Sequence, residues 1–378
     1  MDGETESRNS KVKRKLESDG LMVDLDDITS KRINTKKSFI LEENKTIYHN
    51  LQRSNSYYDH WEYEIKDLKD LILLGNFYSE KNINKKKTHN IPFFKIYMLR
   101  DALQSLINMV GLEDMKQQIL KLIVFYLQDL DEGNQDMLHT VVYGGPGVGK
   151  TKFINILSEI YANLGVLSEC KVTFAKRADM VGQYLGHTAV KTKLLIEKAM
   201  GGILVIDEAY SLGDTEQKDS FSRECIDTLN QYLSESKKDL VCIIAGYKDD
   251  LERRFFNTNP GLARRFPFKF TIPDYSPTNL KDIFLSIVQE NKWKIDDNAI
   301  NVKLLEEYRD YFPFNGGDME LMFTKVKFIH SMRVFSEDPG SKKIITRIDF
   351  EKALEEFVDN DSIREQKYIK DYLKLLYI

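Results

Sequence analysis

The chain has 378 residues, 42% of them hydrophobic, enough to bury one large α/β core and a smaller satellite domain. Its 55 basic and 59 acidic residues leave a formal net charge of −4, which excludes a global attraction to nucleic acid or to an anionic membrane face. The longest apolar stretches, 201–206 and 240–245, fall far short of the roughly 20 residues of a spanning helix, so no membrane segment is expected.

Residues 1–45 are dominated by Lys, Glu, Asp, Ser and Asn and hold too few apolar side chains to offset the entropy of ordering them, which predicts a disordered charged tail. Within it, Lys11 to Lys15 (KVKRK) is a candidate nuclear-import patch. The opening Met1-Asp2-Gly3-Glu4 has neither secretory nor myristoylation character, so a cytoplasmic protein is expected, with nuclear entry open through the basic patch. Residues 46–98 carry aromatics and the run Leu71-Ile72-Leu73-Leu74, then the polar stretch Lys81–Asn90, and predict a partly helical segment followed by a linker.

From 99 to 274, helical periodicity alternates with short apolar runs, the pattern of a parallel sheet flanked by helices. Strands are predicted at 138–143, 171–175, 202–206, 240–245 and 268–272. After Pro273 the strands stop. Ser276 caps a helix with Pro277 in its first turn, and Leu280, Ile283, Phe284, Ile287 and Val288 share one face, so 275–378 is predicted to be an all-helical second unit. The three cysteines, Cys170, Cys225 and Cys242, lack metal-ligand spacing and are expected to be buried reduced thiols. The six histidines predict no zinc site either.

The chemistry starts where the first predicted strand runs into Gly144-Gly145-Pro146-Gly147-Val148-Gly149-Lys150-Thr151, with a helical stretch, 152–164, behind it. Glycines let backbone N–H groups turn inward around phosphates, and the helix N-terminus adds its positive end. Lys150 is placed to reach the β- and γ-phosphates and Thr151 to hold Mg²⁺. Independently, Ile203-Leu204-Val205-Ile206 is a buried strand that ends in Asp207-Glu208, and uncompensated carboxylates are costly to desolvate, so packing does not account for the pair. Asp207 is the candidate for the Mg²⁺ shell and Glu208 for the general base that polarises the attacking water. ATP and Mg²⁺ are the implied ligands.

These motifs, with Gly182-Gln183-Tyr184-Leu185-Gly186-His187-Thr188-Ala189, Gly201-Gly202, Asp207–Leu212, Ala245-Gly246-Tyr247 and Asn259-Pro260-Gly261-Leu262, resemble the CbxX/CfqX group of AAA+ ATPases over roughly 108–358. That group includes red-type Rubisco activases and stage V sporulation protein K-like proteins. The resemblance implies a P-loop NTPase core with a doubly wound parallel sheet and a helical lid, assembled as a homo-oligomeric ring, usually of six. It makes Arg265 the candidate arginine finger toward the neighbouring subunit and Tyr247 the occupant of the sensor-1 position. Tyr184-Leu185-Gly186 becomes the candidate pore loop for an unknown protein client. The lid helix at Gly316-Gly317-Asp318-Met319-Glu320 departs from relatives that carry a sensor-2 arginine there, since nearby positions are acidic. Met319, Met322, Phe323, Val326 and Ile329 read as its core stripe.

The leading expectation is a ring ATPase that remodels or threads a protein. Two other readings remain open at this point: a nucleic-acid motor or clamp-loader-like ATPase, for which no appended nucleic-acid module is visible, and a nucleotide-binding switch with little turnover.

Overall fold

The computed structural model of the chain describes residues 58–59, 63–79, 88–130, 137–169, 171–184, 186–213, 219–235, 239–259, 261–337, 340 and 342–360. The predicted tail, the import patch, Cys170 and Leu185 lie outside them. The chain divides into two compact units, one of Met1–Glu64 and Lys85–Ile91, the other of Ile65–Asn84 and Pro92–Ile378. The described part of the first is a two-residue parallel pair, β1 (Tyr58–Asp59) with β2 (Thr88–His89), the latter inside the stretch read as linker.

The second unit opens with α1 (Leu68–Ser79), α2 (Phe93–Ile107) and α3 (Glu113–Leu127). Helix α1 packs along α2, and Leu71, Leu74, Ile96 and Leu99 are all fully buried. A domain edge at 98/99 would fall inside α2. The helix starts where Pro92 cannot continue a ladder behind it, and its buried stripe of Phe93, Ile96, Leu99, Ala102, Leu103 and Leu106 runs unbroken across that point.

A five-stranded, all-parallel sheet follows, made of β3 (Thr140–Gly144), β4 (Val172–Ala175), β5 (Ile203–Ile206), β6 (Val241–Gly246) and β7 (Phe268–Ile272). Every predicted strand is present, displaced by at most two residues at an end. The spatial order is β4-β5-β6-β3-β7, so the chain leaves β3 for the far edge and comes back on its other side. Strands β5 and β6 are buried along their whole length because helices cover both faces, which is why they read as continuous apolar runs. Helix α4 (Lys150–Leu164) follows β3, α5 (His187–Ala199) lies between β4 and β5, and α6 (Ser220–Glu235) lies between β5 and β6. The described cysteines, Cys225 and Cys242, are buried free thiols.

At the entry to β3, His139 is wholly buried. Its Nδ1 accepts the Cys242 N–H at 3.0 Å. Burial pushes its pKa down to about 4, with the Leu233 carbonyl opposing and the Arg265 cation adding to the shift. A depressed histidine pKa means that the unfolded chain takes up the proton first, so stability is retained above about 6.5 and is lost as pH falls toward 4. Urea unfolding at pH 7 and pH 5 is expected to differ by roughly 2 kcal/mol on this account, and the difference is expected to shrink in His139→Gln.

The remaining chain forms α7 (Pro277–Glu290), β8 (Lys294–Ile295), α8 (Val302–Glu307), α9 (Gly316–Arg333), β9 (Ile344–Ile345) and α10 (Arg347–Val358). The Ser276 cap is formed, its hydroxyl accepting the Asn279 N–H. This unit is not purely helical. β8 and β9 pair in parallel, a contact too short to leave a period-2 signal in sequence. Two other details differ from the predicted faces. In α7 only Leu280, Phe284 and Val288 are buried in the core. In α9 the stripe ends on buried His330 rather than Ile329, because the imidazole bonds Asp349 of α10 at 3.1 Å.

Candidate nucleotide site

The carboxyl ends of β3, β5 and β6 meet at the point where the strand order reverses, the place at which open parallel sheets bind ligands. A cleft of about 520 Å³ lies there. Pro146, Gly147, Val148, Gly149, Lys150 and Thr151 line it, together with Asp207, Glu208 and Tyr247. Residues separated by up to a hundred positions thus share one wall, while Gly144 and Gly145 form the entry to the loop.

Two loop positions demand glycine. Gly147 has φ +67°, and a Cβ there would meet the Phe314 carbonyl oxygen at 1.9 Å; Gly149 has φ +90° and opens α4. The Lys150 ammonium donates to the carbonyls of Gly144 (3.0 Å) and Gly145 (2.7 Å). It also lies 5.0 Å from the centroid of the Tyr247 ring, within cation–π reach. Burial lowers the Lys150 pKa, and the carboxylates of Asp207 and Glu208 pull it back up.

Asp207 sits at the end of β5 and its Oδ1 accepts the Glu208 N–H at 3.0 Å. Glu208 is exposed and adopts φ +52°, ψ 42°, a left-handed conformation unusual for a side-chain-bearing residue. Its carbonyl accepts the Ser211 N–H at 2.8 Å, which fixes the turn that follows. Tyr247 stacks on Tyr210, with centroids 5.6 Å apart and planes 19° off parallel. Burial raises the Tyr247 pKa, with Glu208, Asp250 and Asp207 adding to it.

The donor set suits magnesium. No group of three or more His, Cys, Asp or Glu among the described residues could cage a metal. Beside the loop the cleft instead offers the Thr151 hydroxyl and the Asp207 carboxylate, the sparse set typical of an ion that keeps its waters and takes the rest of its shell from phosphate.

Arg265 is not in this cleft. It ends a 3₁₀ turn, Leu262–Arg265, three residues before β7. Phe268 pairs with Thr140 and Ile272 with Gly144, so Arg265 lies beyond the opposite end of the sheet from its own P-loop, separated by four strand steps or roughly 13 Å. Its Nε is buried without a hydrogen-bond partner among the described residues. Tyr184 is also remote in sequence from the loop motifs; it is 66% exposed, and the His187 ring is set edge-on to it at 5.5 Å. Gly186 turns the chain into α5 at φ +79°. A larger hollow, about 870 Å³, lies between α3 and the β7 edge, lined by Lys121, Phe125, Arg264 and Phe268, and contains none of the motif residues.

A model of the ATPase family associated with various cellular activities (AAA) matches residues 140–273. A cfxQ-like protein of Acanthamoeba polyphaga mimivirus is 39% identical over 300 residues, 78% of this chain and 73% of that protein. The chain belongs to the CfxQ/CbxX family of AAA ATPases. Other members of comparable similarity are stage V sporulation protein K of Bacillus subtilis, 36% identical over 54% of this chain and 68% of its own length, and a ribulose bisphosphate carboxylase/oxygenase activase of Cyanidioschyzon merolae, 36% identical over 56% of this chain and 74% of its own. The sheet is thus the nucleotide-binding sheet of an AAA domain, with its lid behind it.

Several residues of this AAA cleft escaped sequence reasoning. Met109 and Val110, at the turn after α2, line it, as do Ile283 and Ile287 of α7. The latter two explain why the apolar face of α7 is wider than its core contact requires. Glu320, in the first turns of α9, lines the cleft, while Asp318 is buried and accepts the Phe314 N–H at 2.6 Å.

Proposed function

We propose that this chain hydrolyses ATP in the cleft at the ends of β3, β5 and β6, and that it works as a ring that pulls on a protein segment. The observation that carries the reading is the convergence of Lys150, Thr151, Asp207, Glu208 and Tyr247 on one wall. In this account the loop from Gly144 to Gly149 turns its amides to the phosphates and Lys150 supplies the compensating charge. Thr151 and Asp207 would hold magnesium, which would supply positive charge against the negative charge that develops on the transferred phosphate. Glu208, held out of the sheet by its left-handed turn, takes a proton from the attacking water. Tyr247, in contact with Lys150 and Tyr210, serves in this account to register the γ-phosphate. Release of inorganic phosphate from ATP by the purified chain, dependent on Mg²⁺, tests this; nucleotide binding without release would leave only a switch.

The ring reading is supported by Arg265, which lies beyond the opposite end of the sheet from its own P-loop; in this account it is offered to a neighbouring copy, six in the usual assembly. Within such a ring Tyr184 and its flanking Leu185 and Gly186 form the pore loop. A tyrosine supplies large contact area at low entropy cost and needs no particular client sequence. Tyr184→Ala is expected to remove the stimulation of ATPase by an unfolded polypeptide, read as the ratio of stimulated to basal rate. A ratio equal to wild type would eliminate the tyrosine as the gripping residue.

A further inference from the structure

A polar network centred on a buried asparagine joins the start of the lid to the P-loop. Asn315 is fully buried. Its Oδ1 accepts the Tyr275 N–H at 3.1 Å and Arg309 Nη2 at 2.9 Å, and its Nδ2 donates to Asp274 Oδ1 at 3.0 Å. Arg309 also donates from Nε to the Tyr275 carbonyl (3.1 Å) and from Nη1 to the Phe312 carbonyl (2.7 Å). These bonds hold Asn315 at φ 49°, ψ −111°, outside the basins open to a residue with a side chain.

Two donors leave the network for the P-loop. The Gly316 N–H bonds the Gly147 carbonyl, and the Tyr275 hydroxyl bonds the Val148 carbonyl, each at 3.0 Å. No peptide among the described residues is cis, and in a trans peptide the C=O and N–H point opposite ways. Anchoring those two carbonyls on the lid side therefore turns the N–H groups of Val148 and Gly149 away from the lid. Gly147 and Gly149, at positive φ in a glycine-rich loop, have little else to restrict them.

The geometry points to Asn315 and Tyr275 as positioning residues for nucleotide binding: they latch the Gly147 and Val148 carbonyls and so pre-orient the amides that meet the phosphates. The lid achieves this through backbone and a buried asparagine, without an arginine on the first turn of α9. The inference rests on the reading of the cleft as an ATP site. Preorganised donors need no reordering when the ligand arrives, so loss of the latch falls on binding and leaves the chemical step to Lys150 and Glu208.

The test uses the full chain and measures the Kd of a fluorescent methylanthraniloyl-ADP, the KM and kcat for ATP, and thermal melting. Tyr275→Phe keeps the ring and removes one hydroxyl; it is expected to raise Kd and KM about fivefold, with kcat at saturating ATP within about threefold of wild type. Asn315→Gly tolerates the backbone conformation but removes the side-chain bonds, and is expected to raise both about tenfold or more. Unchanged Kd and KM in folded Tyr275→Phe overturn the latch, as does a lower melting temperature with nucleotide affinity intact, or a fall in kcat alone. Tyr275→Phe decides if Asn315→Gly fails to fold. Wild-type protein that does not bind the probe overturns the nucleotide reading and the latch with it, whereas wild-type binding matched by both variants overturns the latch alone.

Discussion

A Glu208→Gln protein is expected to bind ATP as the parent does and to release phosphate about 10²- to 10⁴-fold more slowly, the range that a positioned general base contributes. The expectation follows from where Glu208 stands. Its main chain is pinned by the Asp207 carboxylate on one side and the Ser211 amide on the other, so the amide side chain inherits the same position without disturbing the sheet. Glutamine keeps the hydrogen-bonding shape and cannot take the proton. Lys150→Ala is the matched control, because it removes the only ammonium that bonds the loop carbonyls at Gly144 and Gly145 among the hydrogen bonds described. Binding of a fluorescent nucleotide is expected to disappear in Lys150→Ala and to persist in Glu208→Gln. Phosphate release by Glu208→Gln at the parent rate would move the base elsewhere in the cleft.

Arg265→Ala is expected to lower ATP turnover by about 10³-fold or more, with nucleotide binding by the isolated chain preserved. The sheet register sets this apart from a cis role, since Arg265 stands before the strand end that pairs with Thr140 while the P-loop begins after the end that pairs with Ile272. The sharper measurement mixes subunits. An assembly of Arg265→Ala and Lys150→Ala chains contains interfaces at which an intact P-loop faces an intact arginine, so the mixture is expected to exceed either variant alone. Confirmed co-assembly with no gain in rate would mean that Arg265 acts within its own subunit or only in structure. The buried, unpartnered Nε makes the structural alternative concrete: it would show as a lower melting temperature in Arg265→Ala.

Much of this was legible in the amino-acid order itself. Buried parallel strands are continuous apolar runs, so Ile203–Ile206 and Val241–Gly246 announce themselves, and β3 is betrayed by the glycines that end it. A phosphate loop needs its glycines, lysine and threonine within eight consecutive positions, and a paired acid at a strand end has no packing explanation, so Lys150, Thr151, Asp207 and Glu208 stand out as candidates in the sequence alone. These are local constraints, written in adjacent residues.

What the tertiary structure alone decided depends on contacts between residues far apart in the chain. The strand order β4-β5-β6-β3-β7 brings Lys150 beside Tyr247 and sends Arg265 to the other end of the sheet, and no period in the sequence encodes that order. Ile283 and Ile287 carry the same apolar signal as their core neighbours, yet they line the cleft, because a helix facing both a core and a pocket has one hydrophobic stripe for two uses. The two-residue pairing of β8 with β9 is shorter than any pattern can register. The acidic character of the α9 start, Asp318 and Glu320, was visible in the sequence. The contact between lid and P-loop was not, because it runs through the backbone of Gly316 and Gly147, 169 residues apart, and main-chain hydrogen bonds leave no mark on side-chain identity beyond the glycines they require.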